Sequence, residues 1–191
     1  MVEKKYIQAQ ELLEDSFQLG IKIFESGFRP NFIMGIWRGG TPVGIAVQEL
    51  LDFFGNKTDH IAIRTSAYEG INKRSRNIQV HGLGYITRTI NSEDSLLIVD
   101  DVYDSGLSVQ AVIEALKERT RRNLPQEIRI ATVYYKPGNN QTDRVPDFYL
   151  YETDKWLVFP HELNGLTREE IFANKPIAKK IIEGVHGNEV K

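Results

Sequence analysis

Apolar residues along this chain switch repeatedly between two periods, a helical stripe and a short unbroken run. Leu13, Phe17, Gly20, Ile21 and Phe24 recur at helical spacing, which predicts an amphipathic helix over residues 6–26, closed by Gly27. The run at 31–36 (NFIMGI) reads as a strand buried on both faces. Thr41 as N-cap and Pro42 at the first helical position open a second helix. Val43, Ala46, Val47, Leu50 and Leu51 form its apolar face, and Gly55 stops it. Strands follow at 60–65, 96–100 and 128–135, with a helix over 107–121 between the last two. Short strands at 148–151 and 156–159 and a terminal helix over 167–183 complete the pattern.

Strands alternating with helices predict an α/β fold built on a doubly wound, mainly parallel sheet. At 191 residues the chain fits a single domain, with a core over 28–162, an N-terminal helix and a C-terminal helical tail. The exception to the alternation is the polar stretch at 66–84. A loop of that length inside a compact domain is usually functional or disordered.

Composition narrows the function. A charged fraction of 26% and a hydrophobic fraction of 41% describe an ordinary globular protein. The formal net charge of −2 gives no reason to expect nucleic acid or an acidic membrane as partner. With no cysteine, disulfides, thiolate metal sites and thiol catalysis are excluded. The first fifteen residues lack an apolar signal core and no run reaches transmembrane length, so a cytoplasmic location is expected. The four histidines have no metal-ligand spacing.

The chemistry concentrates at 96–108, LLIVDDVYDSGLS. An apolar strand ends in Asp100 and Asp101, at the carboxyl edge where open α/β sheets bind ligands. Asp104 follows, and Ser105, Gly106, Leu107 and Ser108 open a helix whose free N–H groups and two hydroxyls suit a phosphate. Adjacent acids beside a phosphate cradle match a sugar phosphate: the carboxylates take vicinal hydroxyls and the loop takes the phosphate. The same residues also fit a plain strand, Asp turn and Ser cap, or the phospho-acceptor strand of a receiver domain. A second glycine turn, 36–41 (IWRGGT), lets backbone approach an anion closely at the end of the first core strand.

The 96–108 stretch resembles the phosphoribosyl-pyrophosphate motif of the type I phosphoribosyltransferases, matching it at every position with a side-chain role. The resemblance covers roughly Phe32 to Glu162. It implies that Asp100 and Asp101 hold the ribose hydroxyls and that Ser105, Gly106, Leu107 and Ser108 hold the 5′-phosphate. Asp104 would lie near N7 of a purine and help move its proton, or only order the loop as an Asx turn. Arg38 and Gly39 resemble the family's pyrophosphate loop, with the Trp37–Arg38 peptide a candidate cis bond. Lys136, in YYKP, resembles the Lys-Pro of bacterial xanthine-guanine enzymes, where the lysine donates to the 6-oxygen. In DKWLVFPHE, Trp156 matches an aromatic that stacks on the base, and the Leu157 backbone would meet position 2. Glu162 stands where the family usually carries an Asp near the metal, a departure from the pattern. Ser66-Ala67-Tyr68 resembles the start of the family's mobile loop with one residue inserted, and Lys73, Arg74 and Arg76 lie within it. A small hood accompanies the fold.

The resemblance thus implies a Mg²⁺-dependent purine phosphoribosyltransferase. Phosphoribosyl pyrophosphate and a 6-oxopurine (hypoxanthine, guanine or xanthine) would be its substrates, and a homodimer or homotetramer its assembly. Asp100, Asp101 and Glu162 are the metal candidates, and Arg38 and Asp104 the catalytic ones. Two alternatives remain at this level: transfer to another base, or a regulator of the same fold that senses phosphoribosyl pyrophosphate. Regulators tend to carry an added nucleic-acid-binding domain or basic face, and a slightly acidic chain of this length favours the enzyme.

Overall fold

The computed structural model describes residues 3–69 and 76–184. Its elements run β1 (Lys4–Tyr6), α1 (Ala9–Glu25), β2 (Phe32–Trp37), α2 (Gly40–Phe53), β3 (Asp59–Glu69) and β4 (Arg76–His81). They continue with α3 (Ile86–Thr89), β5 (Ser95–Tyr103), α4 (Leu107–Thr120), β6 (Glu127–Tyr135), β7 (Phe148–Glu152) and β8 (Trp156–Val158). The last two helices are α5 (Arg168–Asn174) and α6 (Pro176–Gly184). The chain divides into two compact units, Gln10–Asp154 and a smaller one formed by Met1–Ala9 with Lys155–Lys191.

The larger unit holds a six-stranded sheet in the order β4-β3-β2-β5-β6-β7. All neighbours are parallel except β4, which returns antiparallel along β3. Leu96, Leu97, Ile98 and Val99 are fully buried, as their unbroken apolar run requires. One sheet face, with Phe32, Met34, Ile36, Leu96, Ile98 and Ile130, packs on Val109, Val112, Ile113 and Leu116 of α4 and Ile86 of α3. On the other face α2 presses close, such that a Cβ on Gly44 would stand 3.9 Å from both Ile33 and Val99 side chains. The expected doubly wound α/β architecture is therefore present. No helix among the described residues is long and apolar enough to cross a membrane.

Several elements differ from expectation. The polar stretch at 66–84 is largely strand: β3 runs on to Glu69 and β4 pairs back with it, Thr65 opposite Val80. A two-stranded ribbon does not need the alternating apolar pattern that announces a half-buried strand. Of the basic residues expected in the mobile loop, Lys73 and Arg74 lie outside the described residues, and Arg76 begins β4. The first helix starts at Ala9, because Lys4, Lys5 and Tyr6 pair with Trp156, Leu157 and Val158 instead. Thr41 does not cap α2. That helix begins at Gly40, with Gly39 at the cap and no side-chain hydrogen bond there. The terminal helix is two, broken at Lys175, since a residue before proline is pushed out of helical conformation.

In the smaller unit, α5 opens with a capping box in which Thr167 and Glu170 exchange hydrogen bonds with each other's backbone. Lys175 is buried, with its ammonium donating to the Phe159 carbonyl at 2.6 Å. Burial lowers its pKa, and the nearby Glu162 carboxylate opposes that shift.

Candidate active site

Strand β5 does not end at the acids but continues past them to Tyr103. Pairing with β6 continues through Asp100 opposite Thr132, Val102 opposite Tyr134 and Tyr103 opposite Tyr135. Tyr103 packs with Leu96 and Ile98 on the sheet face that α4 covers. Asp100 accepts the Asp101 N–H at 3.0 Å and is also bonded by the Gly40 backbone. Even so, burial first and the Asp101 charge second raise its pKa well above the ordinary carboxylate range. Two carboxylates held this close favour a ligand that hydrogen-bonds or neutralises them.

The glycine turn after β2 is built onto this pair. The Trp37–Arg38 peptide is cis, as the sequence indicated. Gly39 and Gly40 are both buried, and a Cβ on Gly39 would overlap the Asp101 carboxylate. A Cβ on Gly40 would overlap the Val99 carbonyl and stand 2.8 Å from the Asp100 Cα. Only glycines allow the Arg38 turn to lie directly against the acids. Arg38 and Trp37 are exposed at this edge.

The 105–108 turn has Gly106 at the cap of α4 with φ of +77°, a left-handed conformation that favours glycine. Here too a side chain is excluded, since a Cβ would lie 2.5 Å from the Tyr103 hydroxyl and 2.7 Å from Thr142 Oγ1. Tyr103 is fixed beneath the loop by Thr142 at 3.0 Å and by the Arg144 carbonyl at 3.2 Å. The Gln141 N–H donates to the Ser105 carbonyl at 3.0 Å, and Ser105 Oγ accepts the Leu107 N–H at 3.4 Å.

Asp104 and Lys136 meet. Lys136 directly follows β6, its N–H on the Tyr103 carbonyl at 2.9 Å, and its side chain is 8% exposed. Its ammonium donates to Asp104 Oδ2 at 3.0 Å, while Asn139 Nδ2 donates to Oδ1 at 2.8 Å. Lys136 is therefore no solvated turn residue. The larger unit thus assembles Arg38, Gly39, Asp100, Asp101, Asp104, Ser105 to Ser108 and Lys136 along the carboxyl ends of β2, β5 and β6. Trp156, Leu157 and Glu162 belong to the smaller unit. There Trp156 is 58% exposed and Leu157 is buried, and Glu162 accepts the Phe159 N–H at 2.9 Å.

A phosphoribosyl transferase domain model matches residues 5–164. The chain belongs to the phosphoribosyltransferase family. Similar to it is the purine phosphoribosyltransferase of Pyrococcus horikoshii, 30% identical, with 86% of this chain and 97% of that one covered and a TM-score of 0.64. The hypoxanthine-guanine phosphoribosyltransferase of Bacillus subtilis is 23% identical over 177 residues, 92% of this chain and 91% of its relative. The xanthine-guanine-hypoxanthine phosphoribosyltransferase of Helicobacter pylori shares the fold, at 17% identity and a TM-score of 0.62, with 95% and 99% covered.

Sequence reasoning missed Asn139, Tyr103 and Thr142. Asn139 had only its place three residues after Lys136, where a short 3-10 turn over Pro137–Asn139 brings it back.

Proposed function

We propose that this phosphoribosyltransferase moves the 5-phosphoribosyl group from phosphoribosyl pyrophosphate to a 6-oxopurine, giving the nucleoside 5′-monophosphate and pyrophosphate in purine salvage. The observation that carries the reading is Lys136, a buried ammonium held by Asp104 at the mouth of the phosphate loop. An ammonium has three donors and no acceptor, so with one on Asp104 the others suit the 6-oxygen of hypoxanthine, guanine or xanthine. Adenine presents a donor amine there instead. In this reading Asp100 and Asp101 take the ribose hydroxyls, Ser105 to Ser108 the 5′-phosphate, and Arg38 and Gly39 the pyrophosphate. Asp104 receives the proton at the imidazole edge of the base.

The paired carboxylates also fit Mg²⁺, which binds through phosphates and one or two carboxylates and keeps several waters. Asp100 and Asp101 would hold it, and the ion would supply charge neutralisation for the leaving pyrophosphate.

Conversion assays with hypoxanthine, guanine, xanthine and adenine test the reading. We expect turnover with one or more of the oxopurines and little with adenine, since an unpaired buried donor costs about 1–3 kcal/mol, more when charged. Lys136→Ala should lose oxopurine activity and narrow the gap to adenine. Efficient adenine conversion by the wild type would refute the base assignment.

A further inference from the structure

We infer that Asn139 is a positioning residue for proton transfer, setting the Asp104 carboxylate so that one face stays open to the base. The inference deepens the proposed function and rests on it. An ionised carboxylate offers about four lone-pair directions. Lys136 takes one on Oδ2 at 3.0 Å, and Asn139 takes one on Oδ1 at 2.8 Å. Both donors come from one short stretch, and the Asn139 N–H closes the turn on the Lys136 carbonyl at 3.1 Å. The carboxylate is therefore gripped at both oxygens from the β6 side. Its remaining lone pairs point away from that turn.

The two donors do different work. Lys136 is buried and brings a charge. Asn139 is exposed and neutral, so it fixes orientation without adding a second cation beside the first. Without Asn139, Oδ1 loses this donor, and the carboxylate can swing about its contact with Lys136. A receiving oxygen must lie within hydrogen-bond reach of the proton it takes, so loss of that orientation falls on the chemical step. Binding of phosphoribosyl pyrophosphate, through the acids and the phosphate turn, is left in place.

Three variants separate this from a structural role. Asn139→Ala removes the donor, and Asn139→Asp keeps the size but replaces the donor with a charge repelling Asp104. Asn139→His places a ring N–H where the amide nitrogen stood. We expect kcat with the preferred oxopurine to fall about tenfold in Asn139→Ala and further in Asn139→Asp, with Asn139→His recovering part of the loss. The dissociation constant for phosphoribosyl pyrophosphate, titrated without base, should stay within about twofold of wild type. Crystal structures of the free Ala and Asp variants should show Asp104 moved or in two conformers. Wild-type kcat in both variants, a parallel loss of sugar affinity, or an unmoved single Asp104 conformer would overturn the inference. A wild type that converts none of the four bases would sink the proposed function instead, and the Asp104 conformers would still decide whether Asn139 positions that carboxylate.

Discussion

Asp100 shows at the scale of one residue how this site opposes the stability of the protein that carries it. Its pKa is raised by burial and by the Asp101 charge, so the folded chain holds that proton to higher pH than the unfolded chain does. Below the ordinary carboxylate pKa both states are protonated and the pair costs nothing. Stability is lost as pH rises through that value, and the loss levels off above the raised folded pKa. At pH 7, above the ordinary carboxylate value, that lost stability is a standing cost unless a ligand offsets it. Asp100→Asn is therefore expected to raise the melting temperature of the ligand-free protein at pH 7. It should also weaken phosphoribosyl pyrophosphate roughly ten- to hundredfold, the worth of a charge-assisted hydrogen bond. Thermal melts at pH 4 and pH 7 with a parallel titration check both halves. A variant no more stable than wild type at pH 7, or one that binds as well, would contradict the assignment.

Between elements, the decisive contact is the turn after β2 against the end of β5. The Gly40 Cα faces the Val99 carbonyl and the Asp100 backbone, neither of which can rotate away. Gly40→Ala should therefore destabilise the protein by about 1–3 kcal/mol, the usual cost of overpacking, and displace Arg38 from the acids. At Gly39 the obstacle is the Asp101 carboxylate, a side chain that can turn. Gly39→Ala should cost less stability and more sugar affinity. Chemical denaturation with pyrophosphate and sugar-substrate titrations distinguishes the two, and equal effects at both positions would show that the turn does not lie as described. Most of this was legible in part. The order of IWRGGT after a buried run announced an anion loop, and LLIVDDVYDSGLS announced its neighbour. That β5 continues through both acids was not legible, because a strand's end depends on what pairs beside it, here Tyr134 and Tyr135 of β6.

Across the whole molecule, the smaller unit joins both chain ends. Lys4, Lys5 and Tyr6 pair with Trp156 to Val158, Lys155 bonds Glu3 at 2.6 Å, and Lys4 bonds Glu170 at 2.5 Å. Ile7 is 2% exposed, which is worth about 1.5–3 kcal/mol of burial. Removing the first seven residues should speed proteolysis and hydrogen exchange at 155–184, while the β5 core keeps its protection. Unchanged exchange at Leu157 and Val158 would show that β1 contributes nothing. A three-residue strand such as KKY has no periodicity to read, and its partner lies some 150 positions away, so β1 stayed hidden in the sequence. Local pattern was sufficient for the buried parallel strands, the α2 and α4 helices and the sugar-phosphate motif, because burial on both faces and a glycine-opened helix are written in neighbouring residues. Tertiary structure alone decided the rest: the extra length of β5, the antiparallel return of β4, and the meeting of Lys136 and Asn139 on Asp104. Each of those depends on which strands lie side by side, and spacing along one chain does not carry that information.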